Sequence, residues 1–112
     1  MPVTRDPRYV ETCARVTRNN VKIGTAKNLA GRRRNYWKDF DRENVEYVPI
    51  ALVENYREAE TAILRHLRAY RMRSPKGGLM DWLENIELET AIAEALFALK
   101  SNGIHHHVLI RT

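Results

Sequence analysis

The chain has 112 residues and a mass of 13.1 kDa, room for one domain and hardly two. Apolar residues at 44% and charged residues at 29% exclude a disordered polymer, and no apolar run approaches the roughly 20 residues that cross a bilayer. A formal net charge of +5 and a pI of about 9.7 exclude an acidic chain and direct attention to anionic partners.

The elements are expected in the order strand, strand, helix, strand, helix, loop, helix, tail. Residues 9–16 alternate loosely and carry β-branched side chains, which predicts a strand. Asn19-Asn20 is a turn signal, and Val21 opens a second strand, VKIGT, of the same hairpin. Residues 27–37 lack proline and hold several good helix formers, so a short, strongly basic helix follows. Residues 45–53 are rich in β-branched side chains, with Pro49 placing that strand at an edge or a bulge. Residues 56–72 have the most regular helical pattern, with Ala59, Ile63, Leu67 and Tyr70 on one stripe. Ser74-Pro75-Lys76-Gly77-Gly78 reads as a loop and residues 87–100 as a last helix, with Ile92, Ala95, Leu96 and Leu99 inward and Asn102-Gly103 as its stop. The sum is an α+β domain over residues 1–103. Its small three-stranded antiparallel sheet, the N-terminal hairpin plus one strand, is flanked by three helices, and residues 104–112 form a tail or a short added strand.

The first ten residues hold no apolar core of a secretory signal, and the single cysteine, Cys13, can form neither an internal disulfide nor a thiolate zinc cluster. A reducing, cytoplasmic setting is therefore expected. Charge is segregated. Residues 22–38 carry Lys22, Lys27, Arg32, Arg33, Arg34 and Lys38 with no acid, residues 65–76 carry Arg65, Arg68, Arg71, Arg73 and Lys76 with no acid, and residues 81–94 carry five acids and no base. A basic region of this kind suits a phosphate backbone. Glu60 falls inside the apolar stripe of its helix, between Ile63, Leu64 and Leu67, and so needs an arginine from the basic helix, a metal ion or a wet cleft as partner.

Arg8-Tyr9-Val10 opens the first strand, and Lys22-Ile23-Gly24 lies in the second, Lys22 thirteen residues after Tyr9. TAKNLAGRRRNY follows Gly24 and places Arg32 eight residues beyond it. REAETAILRHL carries Glu60, and Gly78-Leu79-Met80-Asp81-Trp82 comes after that helix. In order and spacing, over roughly residues 8–85, the chain resembles the GIY-YIG nucleases. Those nucleases carry the two name-giving tripeptides on a hairpin, then a helix with a catalytic arginine and a later helix with a metal-binding glutamate. The lysine form of the second tripeptide looks like a bacterial and phage subgroup.

The resemblance implies a metal-dependent DNA endonuclease of GIY-YIG-like fold that hydrolyses phosphodiester bonds. Glu60 would hold one divalent ion, Mg²⁺ or Mn²⁺, and Arg32 would bind the scissile phosphate through paired, permanently charged donors. Tyr9 would orient or deprotonate the attacking water, and Lys22 would contact phosphate or take part in proton transfer. Tyr36, four residues after Arg32, offers a hydroxyl on the same helix face. Lys27, Arg33, Arg34, Lys38 and Lys76 are the nucleic-acid-binding charges. DNA is the expected partner, with RNA left open and no membrane role. A homodimer or a separate specificity partner would supply the sequence recognition that so short a domain lacks. Two other readings stand beside this one: a catalytically inactive basic nucleic-acid-binding module of the same fold, and a protein-interaction module using the acidic last helix.

The remaining conspicuous residues have plainer roles. Trp37 can stack on a base or join the core, while Trp82 reads as structural and His66 as a polar boundary residue. His105, His106 and His107 alternate faces if extended and cannot converge on one ion, so they read as part of a tail. Cys13 is a small strand residue without a base in sequence reach.

Overall fold

A computed structural model of the protein describes residues 7–15 and 20–110. The expected turn at Asn19 and the end of the first strand at Val16 lie outside the described residues. Two antiparallel strands, β1 (Arg8–Arg15) and β2 (Asn20–Ala26), pair from Tyr9 opposite Ala26 to Arg15 opposite Asn20. The other edge of β1 takes β3 (Val45–Val53), in the opposite direction. A β-bulge interrupts that pairing, where Val10 faces Ala51 and the next residue, Glu11, faces Pro49. Proline donates no ladder bond, and the bulge is where the sheet tolerates it.

The sheet has six strands, not the expected three. A short β4 (Arg71–Arg73) and β5 (Leu79–Glu84) extend it beyond β2, and β6 (His106–Val108) extends it beyond β3, giving the all-antiparallel order β4-β5-β2-β1-β3-β6. β6 is the short added strand, one of the two expectations for residues 104–112, whereas β4, at three residues, is too short to show a period of two. The expected loop around Pro75 is the turn of the β4–β5 hairpin. The Gly77 N–H donates to the Ser74 carbonyl and the Ser74 N–H to the Gly78 carbonyl, and Gly77 adopts φ 90°, which glycine reaches without strain. Of the two forms expected after Gly103, a tail or a short added strand, the chain takes the second, with His107 paired with Leu52 and His106 with Val53.

Three helices cover the two faces. α1 (Leu29–Phe40) lies over one face, against Glu11 of β1, and α2 (Tyr56–His66) and α3 (Leu88–Ser101) lie over the other. On that second side Val10, Val21, Ile23, Ile50 and Val53 meet Ala59, Ile63, Leu67, Ala91, Ala95 and Leu99 in one continuous core. Burying a side chain such as Ile63 or Leu99 contributes about 1.5–3 kcal/mol. On α3 the inward stripe is Ala91, Ala95, Ala98 and Leu99, with Ile92 and Leu96 only partly buried, a rotation from the expected face. α2 stops at His66 rather than running to residue 72. A 3₁₀ turn over Arg68–Tyr70 redirects the chain into β4, and Tyr70, expected inward, is exposed. The reason is tertiary, because Arg71 must run antiparallel beside Leu83 of β5. Among the described residues no helix is long and apolar enough to cross a membrane.

Candidate functional site

The hairpin centre holds a carboxylate that the sequence reading passed over. Glu11 lies on the α1 side of β1 and is fully buried. Tyr36 of α1 donates its hydroxyl to Glu11 Oε1 at 3.3 Å, and Arg32 Nε stands 3.5 Å from the same oxygen, while Oε2 is buried with no hydrogen-bond partner. Opposite Glu11 in the hairpin is Gly24, where a Cβ would come within 3.4 Å of Oε1. Burial pushes the Glu11 pKa above its ordinary value, opposed by Arg32, by the Tyr36 hydroxyl and by Lys22, and Glu60 pushes it further up. The same burial, with Glu11 nearby, pushes the phenol of Tyr36 well above the usual range. Tyr36 is therefore a hydrogen-bond donor to Glu11. The signal for Glu11 was present, since it is the sole acid between residues 7 and 38.

From this buried pair the side chains reach outward at the end of β2. Arg32, with 41% of its side chain exposed, donates from Nη2 to the Thr25 carbonyl at 3.0 Å. The Thr25 hydroxyl in turn donates to Glu60 Oε2 at 3.1 Å. One residue thus bridges the guanidinium of α1 and the carboxylate of α2. The arginine of the basic helix pairs with Glu11 and not with Glu60, and Glu60 is half-buried with a hydroxyl as its partner.

Beside this bridge opens a groove of about 590 Å³ lined by Arg8, Thr25, Lys27, Arg32 and Arg34, with Asn28 and Asn35 and no acid. The Arg8 guanidinium lies 3.7 Å from the centre of the Tyr56 ring, and Tyr56 also borders the recess that contains Glu60. α1 presents its arginines here because Asn28 caps it, its Oδ1 accepting from the Gly31 N–H at 3.0 Å. The other sequence-predicted residues are distributed as follows. Lys22 is on Glu11's face, with Nζ 5.8 Å from the Tyr36 ring centre and 5.9 Å from that of Trp82. Tyr9 shares that face at the end of β1 but does not line the groove. Arg33 stacks on Trp37 from 4.7 Å, and Arg42 from 4.6 Å, so this tryptophan sits at the surface among cations. Lys38 is exposed in the last turn of α1, and Lys76 is in the β4–β5 turn, away from the groove.

Among the described residues no group of three or more histidine, cysteine, aspartate or glutamate side chains could hold a metal ion. A cation that keeps most of its waters and takes one carboxylate plus substrate phosphate oxygens needs no such cage. Glu60 fits that requirement, since the hydrogen bond from Thr25 occupies Oε2 and the residue is only half-buried.

The fold and site define a small α+β domain with an acid-free cationic groove beside a half-buried glutamate. The model of the T5orf172 domain matches residues 6–98, and the chain belongs to that family, a nuclease-associated domain. This membership overturns the GIY-YIG assignment drawn from the tripeptides. Those tripeptides were the weak point: Arg8-Tyr9-Val10 lacks the glycine and isoleucine, and Lys22 stands where the second has tyrosine. No curated protein and no solved structure gives a significant match.

Proposed function

We propose that the protein is a nuclease that hydrolyses DNA phosphodiester bonds, with Arg32 binding the scissile phosphate and Glu60 holding a divalent cation, Mg²⁺ or Mn²⁺. The observation that carries this reading is the Arg32–Thr25–Glu60 bridge, a phosphate-binding cation and a carboxylate held on either side of one threonine at the mouth of an acid-free groove. When bound, the cation would neutralise charge at the phosphate and the leaving oxygen. The chain's own groups supply the rest. Arg8, Lys27 and Arg34 draw the backbone into the groove. Arg32 keeps several N–H donors for a phosphate while Glu11 and the Thr25 carbonyl hold its plane. Tyr36 fixes Glu11 in turn. Tyr9 is assigned to orienting the attacking water and Lys22 to phosphate contact or proton transfer.

The test is cleavage of labelled single- and double-stranded DNA with Mg²⁺ or Mn²⁺. Wild type should cleave, and Arg32→Ala and Glu60→Gln should each lose about 10²-fold or more, the scale for a single group that stabilises transition-state charge. Tyr9→Phe and Lys22→Ala in the same assay test the roles given to those side chains. Cleavage that survives Glu60→Gln would remove the cation site from this account. A second reading, a nucleic-acid-binding module without turnover, draws on the Arg32–Glu11 ion pair, which already uses part of the arginine's charge. It predicts salt-dependent binding and no metal-dependent cleavage by wild type.

A further inference from the structure

The basic run over residues 65–76 has no part in the site above. It folds into a second cationic concavity. Arg65 and His66 from the last turn of α2, Arg68 from the 3₁₀ turn, and Arg71 and Arg73 from β4 line an open cavity of about 560 Å³. Two of the guanidinium groups are held in place by backbone carbonyls. Arg71 donates from Nε to Met80 at 2.8 Å and from Nη2 to Leu79 at 3.3 Å, and Arg73 donates from Nη1 to Gly77 at 3.1 Å. Arg65 and Arg68 are exposed, and their side chains bond to no described residue. Asp81 stands 3.8 Å from Arg71 Nη2, His66 engages Glu94, and Glu58 shares a separate recess with Arg65. Four guanidinium groups thus face a cavity with little local compensation. Such clustering raises the local positive potential and is relieved by a polyanion. Guanidinium is also the cation best matched to phosphate oxygens.

We propose that this cavity is a second phosphate-binding site, which holds the DNA backbone away from the point of cleavage. The inference rests on the nuclease reading for its choice of DNA. Arg65 lies five residues beyond Glu60, about 8 Å along the axis of α2 and turned toward the other side of the helix, so the cavity is separate from the recess that contains Glu60.

The test is binding, in EDTA, of fluorescein-labelled single- and double-stranded DNA over a range of salt, read by fluorescence anisotropy. Arg65→Ala/Arg68→Ala should bind more weakly than wild type and give a plot of log K against log salt shallower by about 1.5, two contacts at about 0.7–0.9 each. Arg65→Lys/Arg68→Lys should keep the wild-type slope. Both variants should melt like wild type, because the two side chains are exposed and unbonded. Unchanged affinity and slope in the alanine variant would overturn the proposal and leave the cavity to an acidic protein segment. Failure of the nuclease reading would show separately, as absent metal-dependent cleavage by a wild type whose slope still responds to these arginines. Wild type that does not bind DNA would overturn both.

Discussion

Glu11 has no exposed surface and one oxygen without a partner, so its ionised form costs more in the folded chain than in the unfolded one. The pKa is raised from the ordinary 4.5, chiefly by burial. Above pH 4.5 the folded state therefore binds more protons than the unfolded state, and stability falls as pH rises through the folded pKa. Glu11→Gln cannot take up that proton. In urea denaturation over a pH series, wild type should lose stability relative to Glu11→Gln from about pH 4.5 upward, by about 1.4 kcal/mol per pH unit until the folded carboxyl has ionised. Parallel profiles for the two proteins would show that Glu11 is not the group responsible. Cys13, buried on the same face, has its thiol pushed up to about 12 by burial and by Glu11, which makes it a packing residue and a poor nucleophile.

At the scale of elements, α1 carries two of the four cations that line the groove. It contributes Arg32 and Arg34 to the groove and Tyr36 to Glu11, and it depends on a single side-chain cap. Asn28→Ala removes the acceptor for the Gly31 N–H and should lower stability by about 1 kcal/mol in denaturant titration. A change of a few tenths would show that water replaces the cap at no cost. α2 has the equivalent device in Asn55, whose Oδ1 accepts from the Glu58 N–H. These caps were not singled out in the sequence, although both asparagines directly precede helices. The end of α2 could not be read locally, because the apolar stripe continues to Tyr70 while the chain turns to join β5.

At the scale of the molecule, the six-stranded sheet closes one edge with a segment of three residues. β6 covers residues 51–53 of β3, and the Leu109 N–H donates to the Ile50 carbonyl at 2.9 Å. Deleting residues 105–112 leaves that edge of β3 unpaired. The truncated protein should lose about 1 kcal/mol or more, since each backbone hydrogen bond contributes about that amount, and should associate with rising concentration through the bare edge. Sedimentation velocity at several concentrations checks this. A monomeric truncated chain with wild-type stability would make β6 dispensable to the domain.

The sequence by itself determined the hairpin, the central strand, the three helices and the basic character of α1, because each is long enough for local periodicity or charge to show. It also singled out Glu60, an acid inside an apolar stripe, and the cluster Arg32-Arg33-Arg34, within which only the family resemblance pointed to Arg32. Tertiary structure decided what those residues meet. Glu11 gained meaning only when α1 folded over the hairpin and brought Arg32 and Tyr36 to it. Thr25 became the bridge between Arg32 and Glu60 only when two helices on opposite faces of the sheet converged at the end of one strand. The extra strands were settled the same way, because a three-residue strand has almost no preference of its own and is stabilised by the edge it pairs with.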